Sequence, residues 1–240
     1  MPVLEALLDE RAQVAKVVVA RTARGEAIDR ILAAAAERAI RVERADAQRV
    51  TRISRNGRHD QGVVADVASP GLAELDGWLA SRTGPLDLLV LDGVTNPANV
   101  GMVIRTAVAA GLDGVVLPRA GSPDVGPLVV KASAGVALAA PVLRTATAAE
   151  AVRLLHAAGL EVIGLAATAV TPIWTTAVPA RAAFVLGNET DGVSAAVAAT
   201  VDRWCAIPVQ GGVESLNVAA TAAVVAFEVA RRRSGATAPA

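Results

Sequence analysis

Apolar residues recur along this chain in two rhythms. Between residues 26 and 40 they fall at Ile28, Ile31, Leu32, Ala35 and Ile40, which is one face of an amphipathic helix. The pattern around it predicts a helix over 4–16, a strand at 17–19, a strand at 41–46, a short helix at 46–54 and a strand at 62–67. From residue 86 the apolar runs become continuous. Leu86-Asp87-Leu88-Leu89-Val90-Leu91-Asp92 reads as a strand covered on both faces, as in a parallel sheet. Further strands are expected at 114–117, 140–143, 161–165 and 182–187, with helices over 102–111, near 129–135 and over 148–158. Such alternation predicts an α/β fold: an open, largely parallel sheet with helices on both faces. Residues 1–70 read as a small α/β domain of their own. Residues 71–85 place Pro and Gly around a short helix and read as a linker, and 86–240 form the second domain.

The stretch from Ile207 to Arg233 organises the second domain. Ile207-Pro208-Val209 closes a strand, Gly211-Gly212 supplies a loop that can take positive φ, and Ser215 stands where a helix N-cap belongs. The helix beyond it is apolar almost all round until Arg231, Arg232 and Arg233, so it must be covered on most faces.

Composition narrows the function. The 240 residues are 53% hydrophobic but only 2% aromatic, with no tyrosine, so binding nucleic acid by aromatic stacking is not supported. A single cysteine, Cys205, excludes an internal disulfide and a cysteine-cluster metal site, and two histidines argue against a histidine centre. No apolar run is long enough to span a membrane, and no signal peptide precedes Met1-Pro2-Val3; the expectation is a cytoplasmic protein without a metal. Formal net charge is zero, yet residues 38–58 hold seven arginines against two carboxylates. Within that stripe Arg49, Arg52, Arg55 and Arg58, with His59, are candidate RNA contacts; an ordinary solvated face is the other reading.

Three polar loops follow apolar strands: NPANVGMVIR (96–105), GNETDGVS (187–194) and QGGVESLN (210–217). In an open α/β sheet all three would lie at the carboxyl ends of strands, where ligands bind. None is a phosphate cradle, since there is no GxGxxG and no Walker lysine, which argues against a dinucleotide oxidoreductase. Arg105 is a charge on an otherwise apolar helix, either an ion-pair member or a contact to phosphate or hydroxyl. Asn99, Ser215 and Asn217 taken singly read as caps, and Glu189 as a loop carboxylate.

Together, NPANVGMVIRTA, VLGNETDGVS and IPVQGGVESLNVAATAAVVAFE make the chain resemble the SpoU (TrmH-like) branch of the SPOUT RNA methyltransferases, over residues 86–233. Residues 4–67 resemble more weakly the ribosomal-protein-like substrate-binding domain often fused ahead of it. The resemblance implies a deep trefoil knot near the C-terminus, an exception to the rule that chains avoid knots. It implies S-adenosylmethionine held by Leu186, Gly187, Ile207, Gln210 and Leu216, and catalysis by Arg105, Asn99, Glu189, Ser215 and Asn217. It also implies a homodimer and, as acceptor, a ribose 2′-hydroxyl of RNA. The ribosomal-like first domain favours rRNA. A tRNA enzyme of the same branch and a non-catalytic ribosome-assembly factor are the alternatives. An arginine stays protonated near neutrality, so the expected role of Arg105 is to pin a phosphate or the 2′-oxygen, with Glu189 as its possible ion partner.

Overall fold

The computed structural model describes residues 2–9, 12–54, 61–69 and 71–235. The chain forms two compact units, Met1–Pro70 and Gly71–Ala240.

The first unit runs α1 (Pro2–Leu8), β1 (Gln13–Ala20), α2 (Glu26–Glu37), β2 (Arg41–Ala45), α3 (Ala47–Ser54) and β3 (Val63–Ala68). Its sheet has the order β2-β1-β3, with β2 parallel and β3 antiparallel to β1. The helical stripe Ile28, Ile31, Ala34 and Ala35 packs on Leu7, Val17, Val19 and Val63. Residues 13–16, expected to be helical, belong to β1, because Gln13 to Lys16 alternate exposed and half-buried with the period of a strand. Arg38 leaves the arginine stripe altogether. Its guanidinium turns inward and donates to the carbonyls of Ala6, Leu7, Asp9 and Ala12 at 2.7–3.2 Å.

The second unit runs β4 (Leu72–Glu74), α4 (Leu75–Ala80), β5 (Leu86–Leu91), α5 (Pro97–Ala109), β6 (Gly114–Val116), α6 (Pro127–Ala132), β7 (Val142–Arg144) and α7 (Ala148–Ala157). Then follow β8 (Glu161–Leu165), β9 (Arg181–Leu186), α8 (Ala195–Ala198), β10 (Arg203–Cys205) and α9 (Val218–Gly235). The seven strands lie in the order β10-β8-β9-β5-β6-β7-β4, every pair parallel. Successive residues of the central strands feed opposite faces. Leu89, Leu91, Ala182, Phe184 and Ile163 join one core with α5 and α9, while Leu88, Val90, Ala183, Val185 and Val162 join the other with α4 and α7. That two-sided burial is why β5 reads as an unbroken apolar run.

Residues 71–85 are not a linker. Leu72–Glu74 pair with β7, and Leu75 and Leu79 of α4 are buried in the second core. Gly71 is a packing glycine: a Cβ there would overlap the carbonyl of Ala140. Strand β10 is short and starts earlier than expected, so Ile207–Val209 lie beyond it as loop. Cys205 is fully buried on β10, and burial pushes its thiol up to about 11.

Candidate active site

Because all seven strands point the same way, the loops leaving β8, β9 and β10 emerge along one edge of the sheet. There they enclose a cavity of about 510 Å³. Its walls come from Leu165–Thr168 after β8, Leu186–Val193 after β9, and Ile207, Val209 and Glu214–Leu216 after β10, with Val218 and Thr221 of α9.

The β9 loop is shaped by its own residues. Asn188 and Gly192 exchange backbone hydrogen bonds at 3.1 and 3.2 Å, and the Asn188 side-chain oxygen accepts from the N–H groups of Thr190 and Asp191. This hairpin folds back over Gly187, where a Cβ would overlap the backbone of Gly192 and Val193. Gly187 is therefore required by close approach. Asp92, buried at the end of β5, accepts from Ser194 N–H at 2.7 Å and ties the far end of the loop to the sheet. Asp92 was missed in the sequence. The signal was there: a carboxylate ending a strand otherwise apolar from Leu88 onward.

The hairpin delivers Glu189 to a small amide network. Asn99 Nδ2 donates to Glu189 Oε1 at 2.6 Å. Asn217 Nδ2 lies 3.2 Å from Asn99 Oδ1 and 3.3 Å from Glu189 Oε1. Asn217 Oδ1 accepts from Ala219 N–H at 2.9 Å and so caps α9. That cap fixes the polarity of the chain of amides. The Asn217 oxygen is committed to the helix, so its NH2 faces Asn99 and Glu189; the Asn99 oxygen then receives it, and the Asn99 NH2 must face the carboxylate.

Two expectations about caps are corrected here. Asn96, not Asn99, caps α5, accepting from Ala98 N–H at 2.9 Å with Pro97 at the first helical position. Asn99 is thereby left for the carboxylate, and it is buried. Asn217, not Ser215, caps α9, because the helix begins two residues later than the apolar pattern suggested.

Of the expected cofactor residues, Leu186, Gly187, Ile207 and Leu216 line the cavity. Gln210 is exposed and outside its lining. Of the expected catalytic residues, Glu189 and Ser215 line it, and Asn99 and Asn217 join it through Glu189. Arg105 stands apart. It is exposed on α5, about 9 Å further along the helix axis than Asn99 and about 120° round it. It shares that face with the exposed Met102 and Val108. Glu189 pairs with the two asparagines, not with Arg105; among the described residues nothing bonds Arg105. Arg49 and Arg52 are exposed on α3, Arg49 paired with Glu43. Arg55, Arg58 and His59 lie outside the described residues.

The donor set suits a cationic ligand. Glu189, Asp191 and Glu214 bring three carboxylates to the cavity, and leucine, isoleucine, valine and alanine supply apolar walls. Among the described residues no cluster of His, Cys, Asp or Glu could hold a metal ion, and no helix is long and apolar enough to cross a membrane.

The sequence pattern of the SpoU rRNA Methylase family matches residues 88–227. The chain belongs to that family. Residues 1–72 match a second pattern, RNA 2′-O ribose methyltransferase substrate binding. SpoU relatives include the 23S rRNA (guanosine-2′-O-)-methyltransferase RlmB of Neisseria meningitidis serogroup B, 36% identical over 204 residues, which are 85% of this chain and 81% of that protein. RlmB of Ralstonia nicotianae is 38% identical over 204 residues, covering 85% and 82% of the two chains. In fold, the chain resembles the SpoU methyltransferase AviRb from Streptomyces viridochromogenes, solved with AdoMet. That match has a TM-score of 0.73 at 22% identity and covers 98% of this chain and 89% of that one.

Proposed function

We propose that this SpoU family member uses S-adenosylmethionine to methylate the 2′-hydroxyl of a guanosine ribose in 23S rRNA. One observation carries the reading: Asn99 of α5, Glu189 of the β9 loop and Asn217 at the start of α9 are hydrogen-bonded to one another at a cavity on the carboxyl edge of a parallel sheet. The RlmB relatives, matched over more than four-fifths of both chains, support rRNA and guanosine as the acceptor.

S-adenosylmethionine supplies a methyl group already activated on a sulfonium. The residues present suit it. Carboxylates from Glu189, Asp191 and Glu214 complement its positive charge, and the backbone of Leu186, Gly187, Ile207 and Leu216 is available to its polar edges. The tail from Ile207 onward is, in this reading, the threaded segment of the trefoil knot.

The protein's own contribution is positional. Glu189, oriented by the two amides, presents a carboxylate of fixed direction beside the cavity. Arg105 points away from the Asn99 face of its own α5, together with Met102 and Val108. Phe227 of α9, packed beside α5, is exposed as well. A homodimer through this apolar face would bring Arg105 to the partner's cavity, where its guanidinium stabilises charge on the ribose oxygen or the adjacent phosphate. In the first unit, Arg41, Arg44, Arg49 and Arg52 are exposed and supply cations for the RNA backbone. A substrate in 23S rRNA supports a cytoplasmic enzyme.

The test is transfer of labelled methyl from S-adenosylmethionine to purified 23S rRNA and to tRNA, with mapping of the modified nucleotide. Label at a single guanosine ribose of 23S rRNA is expected. Label confined to tRNA would move the enzyme to the other branch. Cofactor binding without transfer to either would leave an assembly factor.

A further inference from the structure

The carboxyl edge of the sheet carries a second cluster of charge, at β4, β7 and the loop after β6. Arg144 ends β7 with its side chain 5% exposed. Burying a guanidinium is costly unless its donors are satisfied. Its one described partner is Asp124, which reaches Arg144 Nη2 at 3.0 Å from a side chain 97% exposed. Among the described residues, the buried Arg144 Nη1 has no hydrogen-bond partner, and neither has the buried Ser122 Oγ on the same loop as Asp124.

This arrangement differs from how the protein treats arginines that only hold the fold. Arg38 donates to four main-chain carbonyls. Arg232 donates to the carbonyls of Ile173 and Thr176 and to Glu228, and Arg181 to those of Gly84 and Ala158. Arg144 alone of these has a buried donor with nothing to hold and a partner free to swing into water.

A second cation stands beside it. Arg119, half exposed, forks onto Glu74, and its charge is close enough to oppose that of Arg144, whose own affinity for its proton is lowered first by burial. The cluster is contiguous with the candidate active site. A Cβ on Gly121 would come within 3.3 Å of Gly93 Cα, and one on Gly93 within 3.1 Å of Asn188 Nδ2. Asn188 belongs to the hairpin that carries Glu189.

We propose that Arg144 and Arg119, with Ser122, form a subsite for a phosphodiester of the RNA strand next to the methylated nucleotide. The phosphate takes the place of Asp124, and the planar fork of Arg144 suits its two free oxygens. The proposal rests on the methyltransferase reading and adds to it a second point of hold on the substrate. Asp124 keeps the guanidinium neutralised until RNA arrives. Glu74 stays on Arg119 and orients it, while Glu150 remains within electrostatic range.

The test uses the full-length protein with transcribed 23S rRNA, reading KM for RNA, kcat, the dissociation constant for S-adenosylmethionine, and RNA affinity by filter binding at several salt concentrations. Arg119→Gln and Arg144→Lys should each raise KM for RNA about tenfold. Neither should change kcat more than about twofold, nor alter cofactor affinity. In Arg119→Gln, which removes a charge, the slope of log affinity against log salt should fall by about 0.7; Arg144→Lys keeps the charge and should keep the slope. Asp124→Asn should tighten RNA binding beyond the control Asp76→Asn, which removes an exposed charge elsewhere on the same unit. Inorganic phosphate should compete with RNA in the wild type and less so in Arg119→Gln.

Unchanged KM in both arginine variants, or an unchanged salt slope in Arg119→Gln, would overturn the subsite, and so would weaker RNA binding by Asp124→Asn, which marks a purely structural pair. Phosphate binding with no effect on RNA would point to a free anion and overturn it too. Wild-type protein that binds RNA but transfers no methyl defeats the methyltransferase reading separately, and filter binding still decides the subsite.

Discussion

Asn99 and Glu189 are 90 residues apart in sequence, yet the Asn99 amide donates to the Glu189 carboxylate at 2.6 Å. The direction of that bond is set from a third place, the cap that Asn217 makes on α9. The geometry of the candidate site and the start of α9 therefore share one side chain.

That sharing can be split by substitution. Asn217→Ser keeps a side-chain oxygen able to cap the helix but removes the amide that reaches Asn99 and Glu189. Thermal stability should stay within about 1 kcal/mol of wild type, while kcat/KM for methyl transfer falls on the order of 10²-fold. Asn217→Ala should lose both. Equal losses of stability and activity in the serine variant would assign Asn217 to the cap alone.

Arg105 provides a test of where the site is completed. Arg105→Ala should bind S-adenosylmethionine as wild type does and lose turnover, and Glu189→Gln should be inactive as well. Mixed and refolded together, the two variants should regain activity, because a heterodimer contains one site with both residues intact. No recovery in a mixture shown to contain heterodimer would place Arg105 in its own subunit's site.

Gly187 lies under the hairpin it supports, with no room for a Cβ against Gly192 and Val193. Gly187→Ala should displace the loop that carries Glu189. Calorimetry should show cofactor binding weakened by at least about tenfold, while the far-ultraviolet spectrum keeps its native shape. Wild-type affinity would mean that the loop can move aside without cost to the cavity.

At the opposite edge of the sheet, Asp87 begins the interior of β5 and pairs with Arg233 of α9. Burial pushes its carboxyl up to about 6, against the opposing pull of Arg233. Folding therefore favours the protonated form. That stabilising contribution is complete below the ordinary value of 3.8 and is lost as pH rises through about 6. Asp87→Asn is neutral throughout, so its melting temperature should gain on wild type as pH is raised from 4 to 7. The displacement corresponds to at most ~3 kcal/mol. A melting difference that does not vary across this range would remove Asp87 from the pH dependence of stability.

Much of the fold was legible because parallel strands advertise themselves. Leu86–Leu91 and Arg181–Leu186 are buried on both faces, and burial of that kind leaves an apolar run in the sequence. The site motifs were legible as spacing, and three of their polar residues do meet. What was misread depended on direction or on contacts distant in sequence. Gly71 looked like a linker glycine but serves close packing against Ala140. Arg38 counted as surface charge but points into carbonyls of α1 and of Ala12. Asn99 looked like a cap because Asn96, three residues earlier, could not be ranked above it by pattern alone. Strand β10 spans only three residues, too few for a periodic signal.

The cavity draws its walls from residues 165–221 of a 240-residue chain. During synthesis the first unit and the early strands can fold while the rest is still being made, since domains form in the order they leave the ribosome. The pocket cannot close until α9 has cleared the exit tunnel. A nascent chain thus carries a folded first unit beside an unfinished cavity, and any premature stop before Val218 leaves that cavity without its α9 wall.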